Sequence, residues 1–350
     1  MFERLFVKVV ARIVIPTIDH LFADFSLPGV PGASIMLIEN GKILLAASYG
    51  VANLETGAVC AIDTNYRLAS VTKQFTAMSI MILADRGKLS LDDHLPKFFH
   101  GFPPYGKDIS VRHLLTHTSG LLAYEDLIPP GTTVQVKDKD VLQLLRQQDK
   151  TMFPSGTAFH YSNTGYAFLS LIVAAVSGKP FAEFLHENIF QPLGMNNTLA
   201  FEAGISTVPH RALGYSAGVS DDKKRRVFDQ TDQSMTSAVL GDGGIYSSIA
   251  DLFKWDQALY TEKLVSRKML QQAFTASSPT SDAPASGYGF GWYVGSYRGV
   301  PSVWHYGATC GFSTHIERYP QKKLSLIVLA NRRGAPLAEI SRAVIDLYWT

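Results

Sequence analysis

The stretch Arg67-Leu68-Ala69-Ser70-Val71-Thr72-Lys73 sets a hydroxyl three residues ahead of a primary amine, at the head of an apolar run. On a helix that spacing puts both side chains on one face, with Cβ atoms about 5–6 Å apart. A helix beginning near Ser70 would also turn its positive end toward a forming alkoxide. Free serine is a poor nucleophile and needs such help. An isolated S-x-x-K is more often an N-cap serine followed by a surface lysine. Here Phe75, Met78, Ile80, Met81, Ile82 and Leu83 make the helix apolar nearly all round, hence buried. A lysine near the start of a buried helix needs a partner or a task.

Other patterns are weaker. Gly214-Tyr215-Ser216-Ala217-Gly218 fits G-x-S-x-G, but the elbow of that motif follows an apolar strand and opens a helix. Pro209-His210-Arg211 before it and the charged run at 221–226 after it read as an accidental loop. His113 and His117 are four apart, yet Leu114 stands where the H-E-x-x-H metal motif needs glutamate, so packing and hydrogen bonding explain them better than zinc. GYGFGW (287–292) breaks the G-x-G-x-x-G pattern at Trp292 and gives no dinucleotide site. Cys310 lies close to His305 in sequence, but no helix-borne cysteine or asparagine motif supports a thiol protease. Cys60 and Cys310 make no disulfide framework and fit no zinc spacing. No cofactor is indicated.

The elements that must position Ser70 and Lys73 lie at both ends of the chain and between them. Runs 33–39 and 43–50 flank Asn40-Gly41, a strong hairpin signal. Runs near 289–296, 302–306, 312–318 and 324–330 read as an antiparallel meander, closed by a helix at about 336–348. Helices are expected at 71–86, with Gly87 as a stop, and near 110–116, 139–148, 164–177, 180–188 and 248–260. The fold class is therefore α/β (α+β): one antiparallel sheet assembled from both chain ends, flanked by helices, with a mostly helical inserted lobe. The expected organisation is a single catalytic domain over 1–350, with a sheet lobe at about 17–70 and 245–350 and a helical lobe at about 71–244.

Composition agrees with a chain that buries a sizeable core: 350 residues, 46% hydrophobic and 18% charged. A net charge of +2 gives no reason to expect nucleic acid, and Lys223-Lys224-Arg225-Arg226, after two aspartates, reads as a solvated loop. The opening MFERLFVKVVARIVIPTI reads as a surface helix, because Glu3, Lys8 and Arg12 interrupt a signal-like pattern and no small-x-small site follows. GYAFLSLIVAAVSG (165–178) is too short to span a bilayer. The expectation is a soluble protein with no membrane span.

Two further segments accompany the serine: Tyr161-Ser162-Asn163 and His305-Tyr306-Gly307. S-x-x-K, Y-x-N and K/H-x-G in that order resemble the serine β-lactamase and penicillin-binding superfamily, in its class C, D-peptidase and esterase branch. LLTHTSGL (114–121), QPLGMNNT (191–198) and GGIYSS (243–248) extend the likeness from about residue 17 to the carboxy terminus. The resemblance implies that Ser70 becomes acylated and that water releases the acid. It implies that Tyr161 accepts the serine proton, although free tyrosine titrates near 10 and a neutral Lys73 could take that proton instead; both bases stay open. Asn163 would orient Lys73 and the substrate; an ordinary N-cap of the helix at 164–177 is the other reading, and both roles could hold together. Gly307 would let substrate lie against its strand. The N–H groups of Ser70 and Ala308 would form the oxyanion hole.

His305 departs from the lysine usual at that position. Mostly neutral at neutral pH, it should grip a substrate carboxylate weakly, and Tyr306 replaces a small hydroxyl residue. Arg332 and Arg333 read as surface charges rather than a substitute grip. Tyr124, Glu125 and Asp126 either border the pocket or form an ordinary loop. The expected function is a metal-free serine acyl hydrolase on small uncharged esters. A D-amino-acid peptidase or amidase, a weak β-lactamase and a non-turnover sensor are the alternatives. Its partner would be a small ester, amide or peptide substrate. For localisation, the resemblance leans to the periplasm and the missing cleavage site to the cytoplasm; the oligomeric state stays open.

Overall fold

Asn40 and Gly41 adopt φ of 50° and 75°, the left-handed pair that a two-residue I′ turn requires. As expected, they join β1 (Ala33–Glu39) to β2 (Lys42–Tyr49). The far end of the chain supplies β3 (Ser278–Pro279), β4 (Gly287–Tyr288), β5 (Tyr293–Tyr297), β6 (Val300–Thr309), β7 (Phe312–Tyr319) and β8 (Leu324–Ala330). β8 runs antiparallel to β1, from Ala33 opposite Ala330 to Glu39 opposite Leu324. Both ends of the sequence thus merge in one eight-stranded sheet, ordered β3-β4-β5-β6-β7-β8-β1-β2. The run expected as one strand at 289–296 is split, because residues 289–292 leave the ladder and turn toward the start of the serine-bearing helix. There Gly291, at φ +78°, lies so close that a Cβ would stand 2.8 Å from the Lys73 carbonyl.

The computed structural model describes residues 14–219, 227–281, 283 and 286–349. Of the expected amino-terminal helix, α1 (Val14–Leu21) is helical, while residues 1–13 and the basic run 223–226 lie outside the described residues. The middle of the chain folds into helices close to the expected spans, including α2 (Lys73–Asp85) and α3 (Asn163–Ser177), and α4 (Leu337–Trp349) closes it. The helix Arg267–Ala273 adds to those expected. Gly87 does stop α2: at φ +66° it lets its own N–H reach Ala84 O and that of Lys88 reach Leu83 O, each at 2.9 Å, the paired bonds of a Schellman cap.

Alternation along the strands explains why β1 and β8 read as unbroken apolar runs. Ile35, Leu37, Leu326 and Val328 face a core shared with Ile18 of α1 and Val344 of α4. Met36, Ile38, Ile327 and Leu329 face the opposite way, into the larger core that holds α2 and α3. The sheet is therefore a buried middle layer. Among the described residues no single helix is long and apolar enough to cross a membrane. The segment expected as a loop at 214–218 instead forms a small hairpin, Tyr215–Ala217 against Phe228–Gln230. Ser216 spends its hydroxyl on Thr231 at 2.7 Å.

One buried side chain fastens the end of the sheet to the loops beside it. Asn331, fully buried, accepts from Gly32 N at 2.7 Å and donates to Val51 O and Ala52 O at 3.1 Å and Leu213 O at 2.9 Å. Replacing it with leucine keeps the bulk but strands buried backbone groups, each worth about 1–3 kcal/mol. Asn331→Leu should therefore lower the urea unfolding midpoint by an amount equivalent to at least about 2 kcal/mol; an unchanged midpoint would show that water satisfies those groups equally well.

Candidate active site

Ser70 sits where a short strand hands over to a helix. Tyr66–Arg67 pairs with Ser247 and Tyr246, Ala69–Thr72 makes a tight 3₁₀ turn, and α2 begins at Lys73. Ser70 makes no capping bond, so the ordinary N-cap explanation does not apply. Ala69, just before it, is forced to φ +49°, a conformation that costs a non-glycine residue about 1–3 kcal/mol. Its surroundings hold it there. Arg67 donates to Gly243 O at 3.1 Å, Gln233 Oε1 at 3.3 Å and Ser237 O at 2.7 Å. Thr314 Oγ1 of β7 donates to Leu68 O at 2.7 Å.

Lys73 is wholly buried while Ser70 is half-buried. Its Nζ lies 3.0 Å from Ser70 Oγ, 2.8 Å from Asn163 Oδ1 and 2.9 Å from Asp242 O. Burial lowers its pKa to about 8, against the opposing pull of the Asp242 and Glu125 carboxylates. Two of its three neighbours are carbonyl oxygens that can only accept; the serine alone can also donate. A neutral amine fits this set with two N–H donors to the carbonyls and its lone pair toward the Ser70 proton.

Asn163 was open to an N-cap explanation, which the structure removes. Ser162 caps α3 through its Oγ, accepting from Gly165 N at 3.1 Å, and leaves the Asn163 side chain free for Lys73. The Asn163 amide is oriented from its other end, where Nδ2 donates to Glu125 Oε1 at 2.7 Å. Tyr161 completes the group, with Lys73 Nζ 4.9 Å from its ring centre. The Tyr161 hydroxyl is buried without a formed hydrogen bond. Burial pushes its pKa well above 10, and the nearby Ser70 only tempers the rise. The pairs Ser70 with Lys73 and Tyr161 with Asn163, distant from each other in sequence, are thus brought together.

His305 is also fully buried. Its Nδ1 lies 2.7 Å from the Tyr306 carbonyl and must donate; its Nε2, 2.9 Å from the Tyr288 hydroxyl, must accept. Burial, aided by the Lys73 charge, lowers its pKa to about 3. The ring is neutral with both nitrogens engaged, and nothing of it is left to grip a carboxylate. Tyr306, 46% exposed, stacks on Tyr293 at 5.7 Å. Arg332 sits over the Phe25 ring at 4.0 Å. β5 reaches only to Trp304 of β6, so on that side residues 305–309, including Ala308, have no strand partner among the described residues. Gly307 departs from expectation in its reason. A Cβ there would meet Leu68 O and Thr314 Oγ1, each at 2.3 Å. The glycine admits the serine-bearing turn, not a ligand.

Two neighbours, Asp242 and Asp138, carried no readable signal. Asp242, one residue before GGIYSS, offers Lys73 its carbonyl and takes the Tyr124 hydroxyl at 3.0 Å; burial raises its pKa to about 7 against the pull of Lys73. Asp138 accepts from Leu240 N at 2.8 Å and Gly241 N at 3.0 Å, fixing the turn that carries Asp242. His117, at φ +57°, accepts from Ser162 N at 3.0 Å and packs on the Tyr161 ring at 4.3 Å. His113 accepts from Ser110 N at 3.2 Å and closes a helix cap. Both histidines do local structural work.

Because its neighbours are backbone and a buried hydroxyl, Gly307→Ala should destabilise the fold by about 1–3 kcal/mol and slow Ser70 labelling by a fluorophosphonate. Undiminished labelling with an unchanged urea midpoint would mean that the turn can retreat from β6 without cost.

A family model described as Beta-lactamase matches residues 18–348. Penicillin-binding protein 4* of Bacillus subtilis (strain 168) is 31% identical over 85% of this chain and 68% of its own length. Protein flp of Staphylococcus aureus (strain MRSA252) is 28% identical over 90% of this chain, which spans 61% of that protein. Among solved structures, the octameric penicillin-binding protein homologue from Pyrococcus abyssi superposes with a TM-score of 0.82 at 29% identity, over 96% of this chain and 76% of that one. D-amino acid amidase from Ochrobactrum anthropi SV3 reaches 0.82 at 24% identity, over 96% and 98%, a likeness of fold alone. With the family pattern running through nearly all of its length, and a serine, lysine, tyrosine and asparagine gathered in one place, the chain belongs to the beta-lactamase family of serine hydrolases.

Proposed function

We propose that the protein hydrolyses small acyl esters that present no carboxylate, through an acyl-enzyme on Ser70. The observation that carries this reading is the buried Lys73 amine, 3.0 Å from the serine oxygen and held by two carbonyls. Burial supports Lys73 over Tyr161 as the base. Tyr161, with its pKa pushed up, keeps its proton in the resting enzyme. Lys73, lowered to about 8, is neutral in roughly a tenth of molecules at pH 7.

Neutral Lys73 takes the Ser70 proton as Oγ bonds to the acyl carbon. The resulting oxyanion is held by the N–H groups of Ser70 and Ala308. As the carbon–oxygen bond to the alcohol breaks, Tyr161 protonates the departing oxygen and recovers a proton from Lys73. Water then attacks the acyl ester and gives a proton to the same pair, which passes it to Ser70 Oγ as the bond to the acyl carbon breaks and the acid leaves. Asn163 keeps the amine aimed throughout. The neutral, fully engaged His305 supports the preference against anionic substrates. A D-amino-acid amidase remains the second reading, since a tyrosine donor would serve an amine leaving group equally well.

Hydrolysis of p-nitrophenyl acetate and butyrate, measured beside nitrocefin and a D-alanyl peptide, tests the choice. Esters should be turned over fastest, Ser70→Ala should lose at least about 10⁴-fold, and Ser216→Ala should stay within about twofold. Binding without turnover of any of them would favour the sensor. Because the unprotonated amine is the active form, kcat/KM should climb tenfold per pH unit below about 8 and level off above it. Tyr161→Phe should lower the rate about 10²–10⁴-fold but leave that rising limb in place; a limb that disappears with Tyr161 would make tyrosine the base.

A further inference from the structure

A cavity of about 200 Å³ opens beside the reactive group, lined by Leu121, Ala123, Glu125, His160, Tyr161 and Asn163 among others. Its charge is lopsided. Among the described residues Glu125 is the only carboxylate on its wall, no lysine or arginine lines it, and the exposed His160 is its only ionisable base. The nearby cation, Lys73, is wholly buried behind the Asn163 amide and already held by three oxygens.

The Glu125 carboxylate is half-buried and held from one side. Asn163 Nδ2 donates to Oε1 at 2.7 Å, and among the described residues no group donates to Oε2. The loop that carries it is pinned to α3, where Thr164 Oγ1 accepts from Tyr124 N at 3.0 Å and donates to Leu122 O at 2.7 Å. A partly desolvated carboxylate on the wall of a small cavity is most stable facing a cation. His305, engaged and neutral, does not offset it from the strand side.

We infer that Glu125 is a specificity-determining residue that receives a protonated amine of the substrate through Oε2, close to the scissile carbonyl. The inference rests on acyl hydrolysis at Ser70 and narrows its substrate from one without a carboxylate to one carrying an ammonium, such as an aminoacyl ester or amide. Leu121 and Ala123 would take the short apolar part beside the charge. Oε1 meanwhile keeps Asn163 turned so that its oxygen faces Lys73, so one carboxylate serves both recognition and alignment.

The test uses Ser70→Ala protein, so that ligand is not consumed. Dissociation constants for alaninamide of either hand and for N-acetylalaninamide are measured by calorimetry at pH 6.5, where an α-amine of pKa about 8 is protonated. Alaninamide of the preferred hand should bind at least about fivefold tighter than its acetylated form, the scale of a partly screened ion pair. Adding Glu125→Gln, which keeps an acceptor for Asn163 but removes the charge, should bring that ratio to about one. Equal affinities, a ratio that survives Glu125→Gln, or no binding of alaninamide at tens of millimolar would each overturn the assignment. Protein carrying Ser70→Ala alone, with Glu125 intact, decides the first comparison even if the double variant fails to fold. A Ser70 that proved inert would refute the proposed hydrolysis while leaving this ratio to stand or fall alone.

Discussion

The arrangement depends on burying one amine. Removing an ammonium from water is expensive unless its hydrogen bonds are replaced, and around Lys73 they are replaced by three oxygens drawn from separate parts of the chain: Ser70, Asn163 and Asp242. That coordination keeps the amine in place as burial lowers its pKa. The same low-polarity setting raises the Tyr161 pKa and lowers that of His305. A single environment thus prepares an acceptor, a donor and a neutral floor.

Holding Lys73 there obliges the surroundings to come very close. The turn before it carries a left-handed Ala69, and β6 can lie against that turn only because position 307 has no side chain. Asp138 cradles the backbone of Leu240 and Gly241, and Thr76 Oγ1 donates to Gly241 O at 2.7 Å. These contacts are ordinary singly. Jointly they leave the amine no alternative position.

Much of this was legible in the residues. The hairpin at Asn40-Gly41, the stop at Gly87 and the meander at the far end follow from local turn chemistry and alternation, which are short-range properties. The serine, lysine and tyrosine were legible because an ordered pattern resembles a known superfamily. What escaped had long-range causes. Gly307 suggests room for a ligand although backbone from a distant segment fills the space. Asp242 resembles any solvated acid in sequence, and only packing shows what it faces, while packing alone decides between the two readings of Glu125. The strand expected at 289–296 breaks because Gly291 is claimed by the α2 start, a tertiary demand invisible to local pattern.

The groups around the serine come from the beginning, middle and end of the polypeptide, and the sheet that supports them joins its two extremities through β1 and β8. A fragment spanning 70–163 would hold Ser70, Lys73, Tyr161 and Asn163 but would lack β6, which lies against the serine-bearing turn. Reactivity is therefore a whole-molecule property, arising only once the first and last strands have met. Loss of labelling on heating or in denaturant would consequently report global disassembly rather than local fraying, making the hydroxyl an internal gauge of whether the chain has closed on itself.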